Sequence, residues 1–216
     1  MHLEIDITDI ANGRPGSHKL RTHITTWSDG SGQVTGSAGG WNVTARIDLE
    51  PGPAPRNVIA VIPLFNGRNG PDAIDPISFT APEGTVSSKV EYRVTGHGGQ
   101  SDPRCIGPAD EFCKRNHRIL VDGEQIGPPI EPWRDDCATL CTITNINGRD
   151  YCAENPCGAI QSVQAPRANW CPGDVTPPIV FEEAPLSTPG EHSFGWTIQD
   201  VLGSWRVSAL YLAYGQ

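Results

Sequence analysis

Apolar and polar residues alternate with a period of two along much of this chain, and that alternation predicts β-strands. Val90, Tyr92 and Val94 share one face while Glu91, Arg93 and Thr95 share the other. Phe194, Trp196 and Ile198 repeat the pattern, as do Trp205, Val207, Ala209 and Tyr211. Leu3, Ile5 and Ile7 predict a strand near the N-terminus, and Trp41, Val43, Ala45, Ile47 and Leu49 predict another. Val58 to Leu64 is a continuous apolar run, suited to a strand buried on both sides. No helical stripe of useful length is present; Ser101 to Lys114 has room for a single turn. Asn147-Gly148, between Ile143-Thr144 and Asp150-Tyr151, predicts a hairpin with both central residues left-handed. Cys141 and Cys152 flank that hairpin within reach of a bridge.

Pro51-Gly52-Pro53-Ala54-Pro55 reads as a linker. It divides the chain into residues 1–50, a set of strands too small to hold a core alone, a linker at 51–56, and residues 57–216. The last piece has roughly six to eight strand-like runs separated by turn signals, which predicts an antiparallel sandwich of jelly-roll type. The fold class expected is therefore all-β, one full jelly roll accompanied by an incomplete one.

Composition sharpens this. The 216 residues include 24 Gly and 20 Pro, which disfavours long helices and favours many turns. The net charge is -9, and Lys19, Lys89 and Lys114 are the only lysines, so neither nucleic acid nor an anionic membrane surface is an expected partner. Seven cysteines in a loop-rich chain of this size indicate an oxidising compartment, secreted or periplasmic. Met1 to Asp6 has neither the basic nor the apolar region of a signal peptide, so the natural chain is expected to start earlier.

The chemistry-bearing residues gather between Tyr92 and Gly173 in four islands: Gly96-His97-Gly98; Glu111-Phe112-Cys113-Lys114-Arg115-Asn116-His117; Trp133-Arg134-Asp135-Asp136-Cys137; and Arg167-Ala168-Asn169-Trp170-Cys171-Pro172-Gly173. Asp110 and Glu111 are neighbours, so in an extended segment one at most enters a cleft. A carboxylate beside a disulfide and near His97, Arg167 and Trp170 suits a general base or an acceptor for substrate. Trp27, Trp133 and Trp170 stand in polar contexts, as packing residues or as stacking surfaces for sugars. His97, Cys113, His117, Cys137 and Cys141 are potential metal ligands, but the spacing Cys137-x3-Cys141 is loose and no Cys-x-x-Cys occurs. The sole methionine is Met1, which disfavours a copper site with a methionine ligand. Phosphate loops and Gly-x-Ser-x-Gly elbows are absent, and no metal or cofactor is expected.

Taken together, these islands resemble the peptide-N-glycosidase F family of amidases, mainly its C-terminal domain with the tail of its N-terminal domain. The resemblance also runs through Leu3 to Asp9, Thr26-Trp27, Val58 to Pro63 and Asn155-Pro156, and Arg-Ala-x-Trp-Cys-Pro-Gly at Arg167–Gly173 is its most specific part. It implies two eight-stranded antiparallel jelly rolls with a metal-free cleft between them. The implied reaction is hydrolysis of the amide joining asparagine to the first N-acetylglucosamine of an N-linked glycan, on a glycopeptide substrate and by a monomer. Carried over by motif, Glu111 is the catalytic carboxylate, with Arg167, Trp27, Trp170 and His97 as substrate-binding residues. Cys105–Cys113 resembles a family disulfide, and Cys171 is implied to pair with Cys137 or with Cys152. The family's principal catalytic aspartate precedes the part matched at Leu3, and Thr25 stands where the family has a second cleft glutamate. Weak or no hydrolysis is therefore expected of these 216 residues. The alternatives are a non-catalytic glycan-binding module and a copper-dependent monooxygenase-like protein of the same architecture.

Overall fold

A computed structural model of the chain describes residues 2–23, 42–155 and 158–216. In chain order it contains α1 (Thr8–Gly13), β1 (Val58–Asn69), β2 (Ile77–Ala81), β3 (Ser87–His97), β4 (His117–Val121), β5 (Glu124–Ile130), β6 (Ile143–Ile146), β7 (Arg149–Cys152), α2 (Ile160–Gln164), β8 (Ile179–Phe181), β9 (Gly190–Ile198) and β10 (Ser204–Tyr214). Two four-stranded sheets, ordered β1-β10-β3-β8 and β2-β9-β4-β5, face each other, and β6-β7 forms a separate hairpin. All strand pairs are antiparallel. This is the expected eight-stranded jelly-roll sandwich.

The alternating residues account for the core. Val90, Tyr92 and Val94 on β3 face inward with Trp205, Val207, Ala209 and Tyr211 on β10, and all are buried. Phe194 and Trp196 on β9 and Ile119 and Val121 on β4 close the core from the other sheet. The polar tips of Trp196 and Tyr211 are satisfied, whereas the Trp205 indole N–H is buried without a partner among the described residues. Trp196 Nε1 donates to Asn69 Oδ1 at 2.7 Å, and Tyr211 Oη to the Leu186 carbonyl at 2.9 Å. Asn147 and Gly148, with φ of 53° and 80°, turn the β6-β7 hairpin as its sequence predicts.

Three expectations need correction. The run from Val58 to Leu64, expected to be buried on both sides, lies on β1, an edge strand. Leu64 faces the core, but Pro63 is exposed and sits beside a register shift. Proline has no N–H for a ladder and is tolerated at such edges and bulges. Leu3, Ile5 and Ile7 form no strand; Leu3 and Ile5 are exposed and the short helix α1 begins at Thr8. Val43, Ala45, Ile47 and Leu49 likewise form none, and Trp41 lies outside the described residues. Alternation needs a neighbouring strand to hydrogen-bond to, and no described strand lies beside either segment.

The N-terminal segment docks on the outer face of the β1-β10-β3 sheet. Arg14 Nε donates to the Val61 carbonyl at 3.0 Å. Asp9 accepts from Arg56 at 2.6 Å and from Tyr214 Oη at 2.7 Å, with Lys89 at 3.4 Å. Val61, Leu212 and Tyr214 form a small apolar cluster there. So β1 is covered on its outer face at Val61 and on its inner face at Leu64, while Pro63 between them is exposed.

Candidate functional site

The four islands converge at one end of the sandwich. Three loops cross there: the end of β3 with Gly96 and His97, a 3-10 turn at Asp110–Phe112, and the segment after α2 from Arg167 to Cys171. Backbone bonds tie them together. Gly96 N–H donates to the Ala168 carbonyl at 3.2 Å, Ala168 N–H to Glu111 at 2.8 Å, and Asp110 N–H to Gly98 at 2.6 Å. Arg134 and Arg167 exchange two bonds of 2.8 Å. Gly96 is needed for this approach: a Cβ there would lie 2.8 Å from that of Ala168 and 3.0 Å from both the Asp110 carbonyl and the Trp205 ring. Loops ordered to this degree cost conformational entropy, which disulfides offset. Cys105–Cys113 clips the loop that carries Glu111, and Cys137–Cys171 ties the Arg134 segment to the Arg167 segment. Cys141–Cys152 closes the β6-β7 hairpin. The choice for Cys171 is thereby Cys137, since Cys152 is engaged elsewhere.

The adjacent acids Asp110 and Glu111 part company. Asp110 is fully buried, accepting from Arg115 Nη2 at 2.7 Å and from the N–H groups of Leu202 and Gly203 at 3.0 and 2.8 Å. Arg115 reaches on to Asp102 at 3.1 Å, and Asp102 is held well below the usual carboxylate range, first by its hydrogen bond from Arg104. Glu111 points the other way. Its Oε2 lies 3.1 Å from Arg167 Nη1, with the Glu111 side chain a quarter exposed (25%) and Arg167 buried (4%). Burial raises the Glu111 pKa, and the Arg167 charge only partly opposes this. Burial likewise lowers that of Arg167, against the pull of Glu111.

Arg167 is clamped. Its guanidinium carbon sits 4.6 Å from the centre of the Trp170 ring and 4.9 Å from that of Phe112. Its Nη2 donates to the Ser162 carbonyl and, at 2.9 Å, to Ser162 Oγ on α2. Trp170 Nε1 donates to the Gly96 carbonyl at 3.1 Å, and the ring lies 5.1 Å from that of His97. Burial, then the charges of Arg206, Arg167 and Arg68, push the His97 pKa down to about 4. His97 is therefore neutral near pH 7, with Nε2 2.7 Å from Thr95 Oγ1.

Glu111, Arg167, Trp170 and His97 thus form one continuous cluster. Trp27, like Thr25, lies outside the described residues. His117 is buried in the core, with Nδ1 3.0 Å from Tyr92 Oη and a pKa pushed down to about 3 by burial. Cys113, Cys137 and Cys141, potential metal ligands by sequence, are all in disulfides. Asp136, Cys137 and Cys171 place ligand-type atoms within 4.8 Å of one another, but the two sulfurs are bonded together and offer no thiolate. Sequence reasoning missed two contributors. Phe112 was visible in its island with no role attached, and Ser162 had no signal because α2 is five residues long. What the cluster offers chemically is a carboxylate whose pKa burial raises, a fixed cationic fork and half-buried ring surface. These are groups that bind amides and sugars.

Fold and site together define an antiparallel jelly-roll sandwich with a disulfide-stapled, acid–arginine–aromatic site at its loop end. Residues 67–210 match the sequence profile of the family described as Peptide-N-glycosidase F, C terminal, and the chain belongs to that family. Among solved structures it is similar to PNGF-II in two crystal forms. One is 25% identical with a TM-score of 0.51, covering 73% of this chain and 30% of the other. The second is 24% identical with a TM-score of 0.53, covering 74% and 30%. It shares its fold with a peptide-N(4)-(N-acetyl-beta-D-glucosaminyl) asparagine amidase at 17% identity and a TM-score of 0.52, covering 72% of this chain and 52% of that one. The chain therefore spans under a third of PNGF-II and about half of the amidase. No curated protein matches it.

Proposed function

We propose that this chain is part of a peptide-N-glycosidase F-like glycoamidase whose described cluster holds the linkage between asparagine and the first sugar of an N-linked glycan or glycopeptide. One observation carries the reading: Glu111 and Arg167, from separate loops, meet at 3.1 Å between two aromatic rings. In this reading Glu111 accepts a hydrogen bond or a proton at the amide, Arg167 fixes Glu111 and the substrate oxygens, and Trp170 with neutral His97 lines the sugar. Residues 1–50 belong to the neighbouring sandwich, joined through 51–56 to the sandwich of 57–216, which the docking of Asp9 and Arg14 on the outer sheet supports. The protein is secreted or periplasmic, in keeping with three disulfides. No helix among the described residues is long and apolar enough to cross a membrane.

Amide hydrolysis needs both an activated water and stabilisation of the developing oxyanion. Among the described residues the cluster supplies one carboxylate, already engaged by Arg167. The 216-residue chain should therefore bind more readily than it cuts. Incubation with a denatured N-glycoprotein, followed by mass, tests cutting; titration with a short N-glycopeptide tests binding. Binding that Arg167→Ala abolishes, with slow release or none, is expected. Rapid release would overturn the weak-activity reading, and absence of binding would overturn the function itself.

A further inference from the structure

A second groove, of about 220 Å³, adjoins the Phe112 ring that Arg167 lies over. Phe112, Lys114, Arg115, Asn116, Trp133 and Gln199 line it. It adjoins the Glu111–Arg167 cluster twice over. Phe112 forms part of both, and Trp133 precedes Arg134, whose backbone pairs with that of Arg167. We propose that this groove binds one further residue of a neutral oligosaccharide, as a distal subsite; the proposal rests on the glycan reading of the neighbouring cluster.

The chemistry of the lining selects that ligand class. Trp133 is half-buried, packed in part against the core, and lines the groove with an indole, a side chain suited to stacking on a pyranose ring. Lys114 lies over it, at 5.7 Å from the ring centre, and also makes a solvent-exposed ion pair to Glu131 at 3.2 Å. Exposed pairs of that kind are weak, so an incoming ligand displaces the ammonium at little cost. Beside the ring, Asn116 Nδ2 donates to Gln199 Oε1 at 3.3 Å, and both amides are exposed with further capacity to donate and accept. Arg115 lines the groove while its buried Nε has no hydrogen-bond partner among the described residues.

The cations do not make this an anion site, because each already has its counter-charge. Arg104 bonds Asp102 and Asp200 at 2.8 Å each, and Arg115 bonds Asp110 and Asp102. A neutral, hydroxyl-rich ligand with one apolar ring face satisfies aromatic, amides and paired charges at once. The volume has room for about one sugar residue, on the ~30 Å³ that a liquid water occupies and the handful of waters it would displace.

The test is calorimetric titration of the 216-residue chain with two probes, chitobiose and a free neutral high-mannose oligosaccharide that contains chitobiose. The larger probe should bind more tightly by roughly tenfold, equivalent to about 1.4 kcal/mol. Trp133→Ala and the double variant N116A/Q199A should each erase that advantage while leaving chitobiose binding within about twofold. Asn116 and Gln199 are exposed, so the double variant keeps the test valid where loss of Trp133 disturbs folding. Equal affinity for the two probes, or an advantage that survives both variants, overturns the subsite and leaves the neighbouring cluster's reading intact. Binding of the larger probe with no binding of chitobiose supports the groove and sinks the neighbouring reading. Failure of both probes to bind overturns both.

Discussion

The neighbours Asp110 and Glu111 should differ sharply in what their amides cost the fold. Asp110→Asn is isosteric, so it changes charge and donor pattern without making a cavity. Asp110 Oδ2 takes two backbone N–H groups and Oδ1 takes Arg115. An asparagine that keeps its carbonyl oxygen on Leu202 and Gly203 must turn its NH₂ toward the Arg115 guanidinium, so donor meets donor. Both members are dry, at 0% and 4% exposure. Breaking a buried pair from one side costs about 3–5 kcal/mol. Asp102 still engages Arg115 at 3.1 Å, which lowers the expected loss to about 2–4 kcal/mol.

Glu111→Gln removes the other charge at a site that is partly open, Glu111 being a quarter exposed and Arg167 buried. Gln keeps an acceptor for Arg167, and Arg167 keeps Ser162 and its two rings. Burial already works against ionisation of Glu111. The expected stability change is about 1 kcal/mol, because Gln keeps the buried Arg167 hydrogen-bonded. Urea unfolding followed by tryptophan fluorescence, disulfides intact, measures both. At a slope near 2 kcal/mol/M, Asp110→Asn should shift the midpoint by about 1–2 M and Glu111→Gln by about 0.5 M. Equal shifts for the two variants, or a loss below ~1 kcal/mol for Asp110→Asn, would refute the division of labour.

Three other outcomes are expected. Gly96→Ala puts a methyl 2.8 Å from Ala168 and 3.0 Å from the Trp205 ring; it should destabilise by about 1–3 kcal/mol and alter the Trp170 fluorescence environment even in the folded state. His97, with its pKa pushed down to about 4 from 6.5, stays neutral in the fold while the unfolded chain binds a proton, so its stability contribution is complete above pH 6.5 and is lost as pH falls toward 4. The slope in that window is at most about 1.4 kcal/mol per pH unit, and Gln in place of His97 should flatten a plot of midpoint against pH there, while leaving the region above pH 7 unchanged. Removing Cys137–Cys171, 34 residues apart, frees a longer loop than removing Cys141–Cys152, 11 apart. Paired serine variants should cost about 3–4 and 2–3 kcal/mol in that order, read by thermal unfolding after peptide mapping has confirmed the bridges.

The sandwich was legible because period-two alternation survives wherever one strand face is dry. Tyr92, Trp205 and Tyr211 are fully buried, as their positions in the pattern require. The same pattern misled at Leu3, Ile5 and Ile7, where alternation exists but no described strand pairs with it. Periodicity records which faces differ, not whether a neighbour is present to complete the ladder. Asp122-Gly123, with φ of 53° and 81°, turns the β4-β5 hairpin and carries the same kind of signal as Asn147-Gly148, but only the latter was recognised. The divergence of Asp110 and Glu111 was expected from an extended backbone. It arises instead in a 3-10 turn, where successive side chains also point apart. The meeting of Glu111 with Arg167, 56 positions later, had no local signal at all; a family resemblance suggested it and loop packing brings it about. Ser162 was beyond either route.

A site made wholly of loops raises the question of what keeps it in one geometry, and the answer lies behind the cluster rather than in it. Glu111 is held through its backbone to Ala168, through Cys113 two residues on, and through Asp110 one residue back. Arg167 is held by the bridge to Arg134, and Arg134 by Asp136 and Asp174 at 2.6 and 2.7 Å. Glu111 and Trp170 are thus two residues and one residue from a disulfide, and Arg167 is held through its backbone pairing with Arg134. Glu111 remains open to exchange with a ligand, its side chain being a quarter exposed, whereas Arg167 stays buried. Rigidity and chemistry therefore sit on alternate residues of the same short loop, and substitutions at 110 and 111 should separate them.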